Sequence, residues 1–131
     1  LKNGVKNIKV RSIDESNDNF ITSLTTHGIL NYDWLPGSKH LVYIYDKNGM
    51  GKFHLYKVNI LTKETTDLTP LDSITVNGFQ TSNTKSNEIL VFHVKGEQKI
   101  RHAYRINTKT GNIKLDVKFP KNFRELLRTT I

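Results

Sequence analysis

Residues 34–69 decide the fold, and they read WLPGSKHLVYIYDKNGMGKFHLYKVNILTKETTDLT. Two apolar runs, residues 41–45 and 53–60, stand between turn signals. Pro36-Gly37 marks the first turn and Asn48-Gly49 is a strong hairpin signal. Residues 62–64 form a further polar break before a third extended stretch. The pattern predicts strand, turn, strand, turn, strand, as in most of one blade of a β-propeller.

The first apolar run is hydrophobic on both of its faces. Leu41, Tyr43 and Tyr45 share one face, and Val42 and Ile44 share the other. A strand that is apolar on both faces is usually covered on both sides. The run therefore predicts a sheet that is stacked between two others.

The rest of the chain continues the strand pattern. Further strands are predicted at residues 8–13, 20–22, 29–34, 74–79, 89–94, 100–106 and 113–119. Residues 123–128 are the one place where a helix is expected to begin. The predicted class is therefore all-β, with antiparallel strands.

The sequence repeats itself at an offset of 48 residues. Residues 42–44 match residues 90–92, and residues 54–59 match residues 102–107. A third, partial copy comes first, where residues 7–13 followed by Thr22 match residues 54–60 followed by Thr69. Four short strands in a period of about 40–50 residues are typical of propeller blades.

The repeat predicts a partial β-propeller with about two four-stranded blades and part of a third. Residues 1–27 are expected to form the outer strands of one blade, 28–73 a second blade and 74–119 a third, with 120–131 as a tail or the start of another. Closed propellers have about 4–8 blades. We therefore expect exposed sheet edges and apolar faces, and a chain that is marginally stable or self-associating.

Composition limits the function classes. The 131 residues carry a net charge of +8 and no cysteine, which excludes disulfides, thiol catalysis and Cys-ligated zinc. The basic residues are scattered rather than grouped, so solvated strand faces are favoured over a nucleic-acid site. No apolar run reaches the about 20 residues of a membrane span, and no signal peptide is evident. We expect a cytoplasmic protein that does not bind a membrane.

At this point the residues resemble a known family. The segment Trp34-Leu35-Pro36-Gly37-Ser38-Lys39 resembles the aromatic-x-Pro-Asp-Gly-Lys turn of TolB-type blades, without its Asp. More widely, the chain resembles the N-terminal propeller of bacterial prolyl oligopeptidase-family serine peptidases, of the dipeptidyl aminopeptidase or acylaminoacyl peptidase type. The matching pieces lie at residues 7–14, 28–34, 43–49, 54–59, 67–70 and 104–111. Met50-Gly51-Lys52 departs from the family, which has an acidic turn there.

The resemblance implies a non-catalytic role. In this family the Ser-Asp-His triad lies in a separate α/β-hydrolase domain, with its Ser in a Gly-x-Ser-x-Gly elbow. No such elbow occurs in this sequence. The resemblance implies a propeller fragment that gates peptide access to that domain, with the peptide a substrate of the intact parent alone. The expected partner is a separate hydrolase domain, or a second copy bound through the blade edges. The alternative is a stand-alone, oligomerising binding module with a basic surface for an acidic partner.

Three groups of side chains could carry chemistry. Ser38, His40 and Asp46 could form a triad, since triads depend on geometry and not on chain order; for Asp46 we favour a turn role. His54 and His102 occupy equivalent repeat positions and could bind a metal, but we favour a structural role on the strands. Four tyrosines could stack on the bases of a single-stranded nucleic acid, but we interpret them as interior residues of the strands. They are Tyr43, Tyr45, Tyr56 and Tyr104. We therefore predict no catalytic, cofactor-binding or metal-binding residue.

Overall fold

A computed structural model of the chain describes residues 2, 4–13, 19–71, 74–81, 87–95 and 100–119. The strands within these ranges are β1 (Lys9–Val10), β2 (Asn19–Phe20), β3 (Asn31–Trp34), β4 (His40–Tyr45), β5 (His54–Asn59), β6 (Thr65–Asp67), β7 (Val76–Thr81), β8 (Glu88–Lys95), β9 (Ile100–Asn107) and β10 (Ile113–Phe119). The predicted helix start at residues 123–128 lies outside the described residues.

The strands form three antiparallel sheets in chain order. The first sheet contains β1 and β2, the second contains β3 to β6, and the third contains β7 to β10. Within each four-stranded sheet every strand pairs with its neighbour in sequence. This confirms the predicted all-β class, with two complete blades and part of a third.

The first strand is shorter than predicted. The expected strand at residues 8–13 pairs only over Lys9–Val10, where Lys9 lies opposite Phe20. Ile13 is fully exposed, at 101% of its reference area. The alternation of apolar and basic residues in the sequence therefore extends beyond the two residues that pair with β2.

The second sheet is covered on both faces, as its sequence predicted. Val42, Ile44 and Leu55 pack against residues of the third sheet in one buried cluster. Leu41, Tyr43, Tyr45 and Val58 pack on the opposite face in a second cluster, together with Ile8, Ile21 and Ile29. Alternate side chains of a strand point to opposite faces, so one apolar run supplies both clusters.

The 48-residue repeat is confirmed by the strand register. In the second sheet Tyr43 lies opposite Tyr56, and in the third sheet Val91 lies opposite Tyr104, each 48 positions later. The turn that follows β5 in the second sheet is also repeated after β9 in the third sheet. The Asn59 side-chain oxygen accepts from the backbone N–H of residues 61 and 62, and that of Asn107 accepts from residues 109 and 110.

The partial first copy is confirmed by its hydrogen bonds, at an offset of 47 residues. The Ile8 N–H donates to Thr22 Oγ1 at 2.9 Å, and the Leu55 N–H donates to Thr69 Oγ1 at 3.0 Å. The carbonyls of residues 8 and 55 accept equivalent backbone bonds from residues 21 and 68, both at 2.8 Å. The connection between β1 and β2 in the first sheet therefore has the same hydrogen bonds as that between β5 and β6 in the second.

The outer faces of the second and third sheets differ in how far their apolar residues are exposed. Leu90, Phe92 and Ala103 lie on the face of the third sheet turned away from the second, yet they are 5%, 6% and 0% exposed. On the other side, Tyr32 and Trp34 of the second sheet are 61% and 41% exposed. Part of the uncovered apolar surface of the described chain therefore lies on the face of the second sheet that the two-stranded first sheet covers incompletely.

The β4–β5 connection is longer than the two-residue turn that Asn48-Gly49 alone would form, because it spans residues 46–53. The Asp46 carboxylate organises it by accepting from the N–H of Met50 at 3.3 Å and of Gly51 at 2.8 Å. This confirms the predicted turn role of Asp46. Gly49 has φ of 67°, in the left-handed region that favours glycine.

Replacing Gly49 by alanine is expected to lower the free energy of unfolding by more than the about 1–2 kcal/mol that a left-handed backbone costs a non-glycine residue. An added Cβ would lie 2.5 Å from Nε2 of His27, so that ring must also move. Gly51→Ala is the matched control, because its φ is 77° with no atom within 4 Å of the added carbon. Urea unfolding of both variants measures the difference between their losses of stability. In a protein that also carries His27→Ala, this difference should disappear. Equal losses for the two glycines would contradict the contact.

Candidate functional site

The residues proposed as a triad do not come together. His40 begins β4 and Asp46 follows its last residue. A strand rises about 3.3 Å per residue, so the two side chains are anchored about 20 Å apart. Ser38 is exposed in the preceding turn with φ of 57°. The geometry therefore provides no catalytic triad from these three residues.

His40 instead lies on the face of the second sheet that packs against the third, the face that Val42 and Ile44 share. It lines a small cavity of about 120 Å³ with Lys57, Asn59, Glu64 and Thr66. Burial lowers the pKa of His40 below its usual value, and the positive charges of Lys57 and Lys39 lower it further. Lys57 also donates to the backbone oxygen of Thr108 at 2.7 Å, which joins the second and third sheets.

His54 belongs to a local polar network. Its Nδ1 lies 2.7 Å from Oδ2 of Asp67, whose other oxygen accepts from the Thr69 N–H at 2.9 Å. The ring stacks on Tyr56 with centroids 6.3 Å apart. Burial, followed by the charge of Asp67, raises the pKa of Tyr56 to about 12. These contacts hold β5 against β6 and leave the carboxylate engaged at both oxygens.

His102 stands at the equivalent strand position but in a different environment. It lies near Tyr104, as His54 lies near Tyr56, and its ring meets His93 edge-on with centroids 6.1 Å apart. The residue equivalent to Asp67 is Leu115, so the repeat does not reproduce the His54–Asp67 pair at this position. Across the described ranges, no group of three or more His, Asp or Glu side chains could hold a metal ion. Both histidines lie on strands, His54 on β5 and His102 on β9.

The tyrosines are mostly interior residues, as interpreted from the sequence. Tyr43 and Tyr45 are 4% and 6% exposed within the cluster between the first and second sheets. Tyr56 stacks on Tyr43 at 5.5 Å. Rings buried in this way are not open to a nucleic-acid base.

One feature was missed from the sequence, at the first strand of the second sheet. Asp33 Oδ2 accepts from the Thr81 hydroxyl at 3.3 Å, which links β3 to β7. A cavity of about 340 Å³ opens beside this contact, lined by Asp33, Trp34, Leu35, Pro36, Gly37, Ser38 and Thr81. The alternation of Leu30, Tyr32 and Trp34 could have indicated an aromatic face on the opposite side of β3 from Asp33.

No helix among the residues that the structure describes has the length and hydropathy needed to cross a bilayer.

The fold is that of a TolB-like β-propeller. The chain superposes on the crystal structure of TolB from Acinetobacter baumannii with a TM-score of 0.62 over 83% of this chain and 26% of that one. The two sequences are 15% identical, so this likeness concerns the fold alone. No family model matches the sequence.

The sequence is similar to dipeptidyl aminopeptidase BIII of Pseudoxanthomonas mexicana. The two are 30% identical over 110 residues, which cover 83% of this chain and 16% of that protein. The chain therefore spans under a fifth of the length of this relative. Together, fold and sequence fit a segment of the TolB-like propeller of a peptidase.

Proposed function

We propose that this chain is a non-catalytic propeller segment of a peptidase related to dipeptidyl aminopeptidases. Its role is to restrict the access of peptides to a hydrolase domain that lies elsewhere. That domain cleaves the peptide bond, and the shape of the blades limits which peptides reach it.

The observation that carries the proposal is the 30% identity to a peptidase over 110 residues of a chain whose described part consists of propeller sheets. Two further observations support it. Ser38, His40 and Asp46 are held apart by β4. His54 and Asp67 are bonded to each other, and the second oxygen of Asp67 accepts from the Thr69 backbone N–H.

The first test is a peptidase assay of the chain alone. Incubated with dipeptidyl nitroanilides, it is expected to release no more product than buffer does. Ser38→Ala and His40→Ala are the matched variants. Hydrolysis by the parent chain that either variant abolishes would show that the chain is itself catalytic and would overturn the proposal.

The second test examines the gating role with a chimera. The matching 110 residues of the Pseudoxanthomonas mexicana enzyme are replaced by those of this chain, and the unaltered enzyme is the control. The chimera is expected to hydrolyse dipeptidyl nitroanilides and to leave a full-length unfolded protein uncleaved. Cleavage of both substrates at comparable rates would contradict restricted access.

A further inference from the structure

The sequence contains three Asn-Gly pairs, at residues 3–4, 48–49 and 77–78. Asparagine is a chemically labile residue, and it is most labile before glycine, which has no side chain to shield its backbone nitrogen. That nitrogen attacks Cγ of the asparagine and closes a five-membered succinimide ring. In a folded protein the rate depends on whether the backbone of the pair can adopt the conformation of the ring. Asn3 lies outside the described residues, so the structure compares the other two pairs.

The pair at residues 48–49 lies in the connection between β4 and β5, and both of its residues are exposed. Within the described part of the chain, neither the Asn48 side chain nor the Gly49 N–H makes a hydrogen bond. The next two N–H groups are held, since those of Met50 and Gly51 donate to the Asp46 carboxylate. Attack by the Gly49 nitrogen on the Asn48 side chain therefore breaks no hydrogen bond of the fold.

The fold itself requires glycine at position 49. The φ of Gly49 is 67°, in the left-handed region that side chains rarely adopt. A Cβ at this position would also lie 2.5 Å from Nε2 of His27. A larger residue would slow ring closure, but the backbone conformation and the histidine ring both disfavour one. The reactive pair is therefore a consequence of how the connection folds.

The pair at residues 77–78 lies in a different environment, within β7. This strand pairs with β8, where Gly78 lies opposite Phe92. The backbone of a paired strand is extended, and its N–H and C=O groups take part in the ladder. Ring closure turns the peptide group after the asparagine out of the extended conformation. Asn77 is therefore expected to react only when β7 separates from β8.

We propose that Asn48 is a site of spontaneous deamidation in the folded protein. The Gly49 nitrogen forms a bond to Cγ of Asn48 and loses its proton, and the side-chain nitrogen leaves as ammonia. Water then opens the succinimide at either carbonyl, which gives aspartate or isoaspartate at residue 48. The reaction needs no oxidant, reductant or enzyme, and the site does not depend on the proposed peptidase role.

Deamidation changes both the charge and the length of the β4–β5 connection. One new carboxylate takes the net charge from +8 to +7. It lies two residues from the Asp46 carboxylate, and Asp46 is buried. The isoaspartyl form also adds one carbon to the main chain between Asp46 and the N–H groups of Met50 and Gly51 that it binds. We therefore expect the isoaspartyl chain to melt at a lower temperature than the unreacted chain.

The test incubates the full chain at mildly alkaline pH and follows each asparagine by peptide mapping after digestion in acid. In the folded chain, Asn48 is expected to react several-fold faster than Asn77. In urea, where β7 no longer pairs with β8, the two rates should become similar. Incubation in heavy-oxygen water should place one labelled oxygen at residue 48, and enzymatic methylation of isoaspartyl carboxylates should detect that form there.

Asn48→Gln is the matched control, because it keeps the amide but its longer side chain cannot close the five-membered ring. It should gain no isoaspartate at residue 48 and should keep its melting temperature through the incubation. Asn48→Asp, measured before incubation, adds the charge without the extra carbon and should melt above the isoaspartyl chain. An unreacted Asn48 in the folded chain, after the same residue has been converted in urea, would overturn the proposal. Equal rates for Asn48 and Asn77 in the folded chain would also overturn it.

Discussion

Replacing Leu55 by alanine is expected to lower the free energy of unfolding by about 3 kcal/mol. Leu55 is 0% exposed and lies in the buried cluster that joins the second and third sheets. Its removal costs the transfer of three carbon atoms and leaves a cavity that strands on both sides keep from closing. Urea unfolding at neutral pH, with the change in midpoint read at constant m-value, measures the loss.

Ile8→Ala is the matched control, because Ile8 is the repeat equivalent of Leu55 and loses the same number of carbon atoms. Ile8 lies in the buried cluster between the first and second sheets and borders a cavity of about 260 Å³, so fewer neighbours lose contacts when it is truncated. We expect a smaller loss than for Leu55→Ala. Leu61→Ala, at a side chain 83% exposed, should have almost no effect. Equal losses for Ile8 and Leu55 would contradict a difference in packing between their two buried clusters.

Much of the fold could be predicted because the signals that define it are local. Alternation in residues 41–45 and the Pro36-Gly37 turn depend on neighbouring residues only. The 48-residue repeat then predicted equivalent strands for the third sheet. Strand ends were less predictable, since the length of β1 depends on where a neighbouring strand pairs with it and not on its own apolar pattern.

The candidate site was less predictable for a different reason. The partner of His54 is Asp67 on another strand, and the repeat predicts no such pair because Leu115 replaces the carboxylate in the next copy. The exposure of Trp34 likewise depends on which sheet covers its face. Period-two alternation places the side chain on one side of a strand but does not say whether that side is covered.

Replacing Thr69 by valine is expected to lower the free energy of unfolding by about 1–3 kcal/mol. Thr69 is 0% exposed, and its hydroxyl oxygen accepts from the Leu55 N–H at 3.0 Å. Valine has nearly the same shape, so packing is kept while a buried donor loses its partner. Thermal and urea unfolding of the variant measure the cost.

Thr69→Ser separates the hydroxyl from the methyl group, since it keeps the acceptor and should recover most of the loss. Thr22→Val makes the corresponding change in the first sheet, where the hydroxyl accepts from the Ile8 N–H at 2.9 Å and also donates to Asn7 Oδ1 at 2.8 Å. If this hydroxyl bond is a structural element of every blade, both valine variants are destabilised and serine at residue 69 is tolerated. A neutral Thr69→Val variant would mean that the Leu55 N–H finds another acceptor. The repeat of the bond would then reflect shared ancestry of the blades rather than a shared requirement for stability.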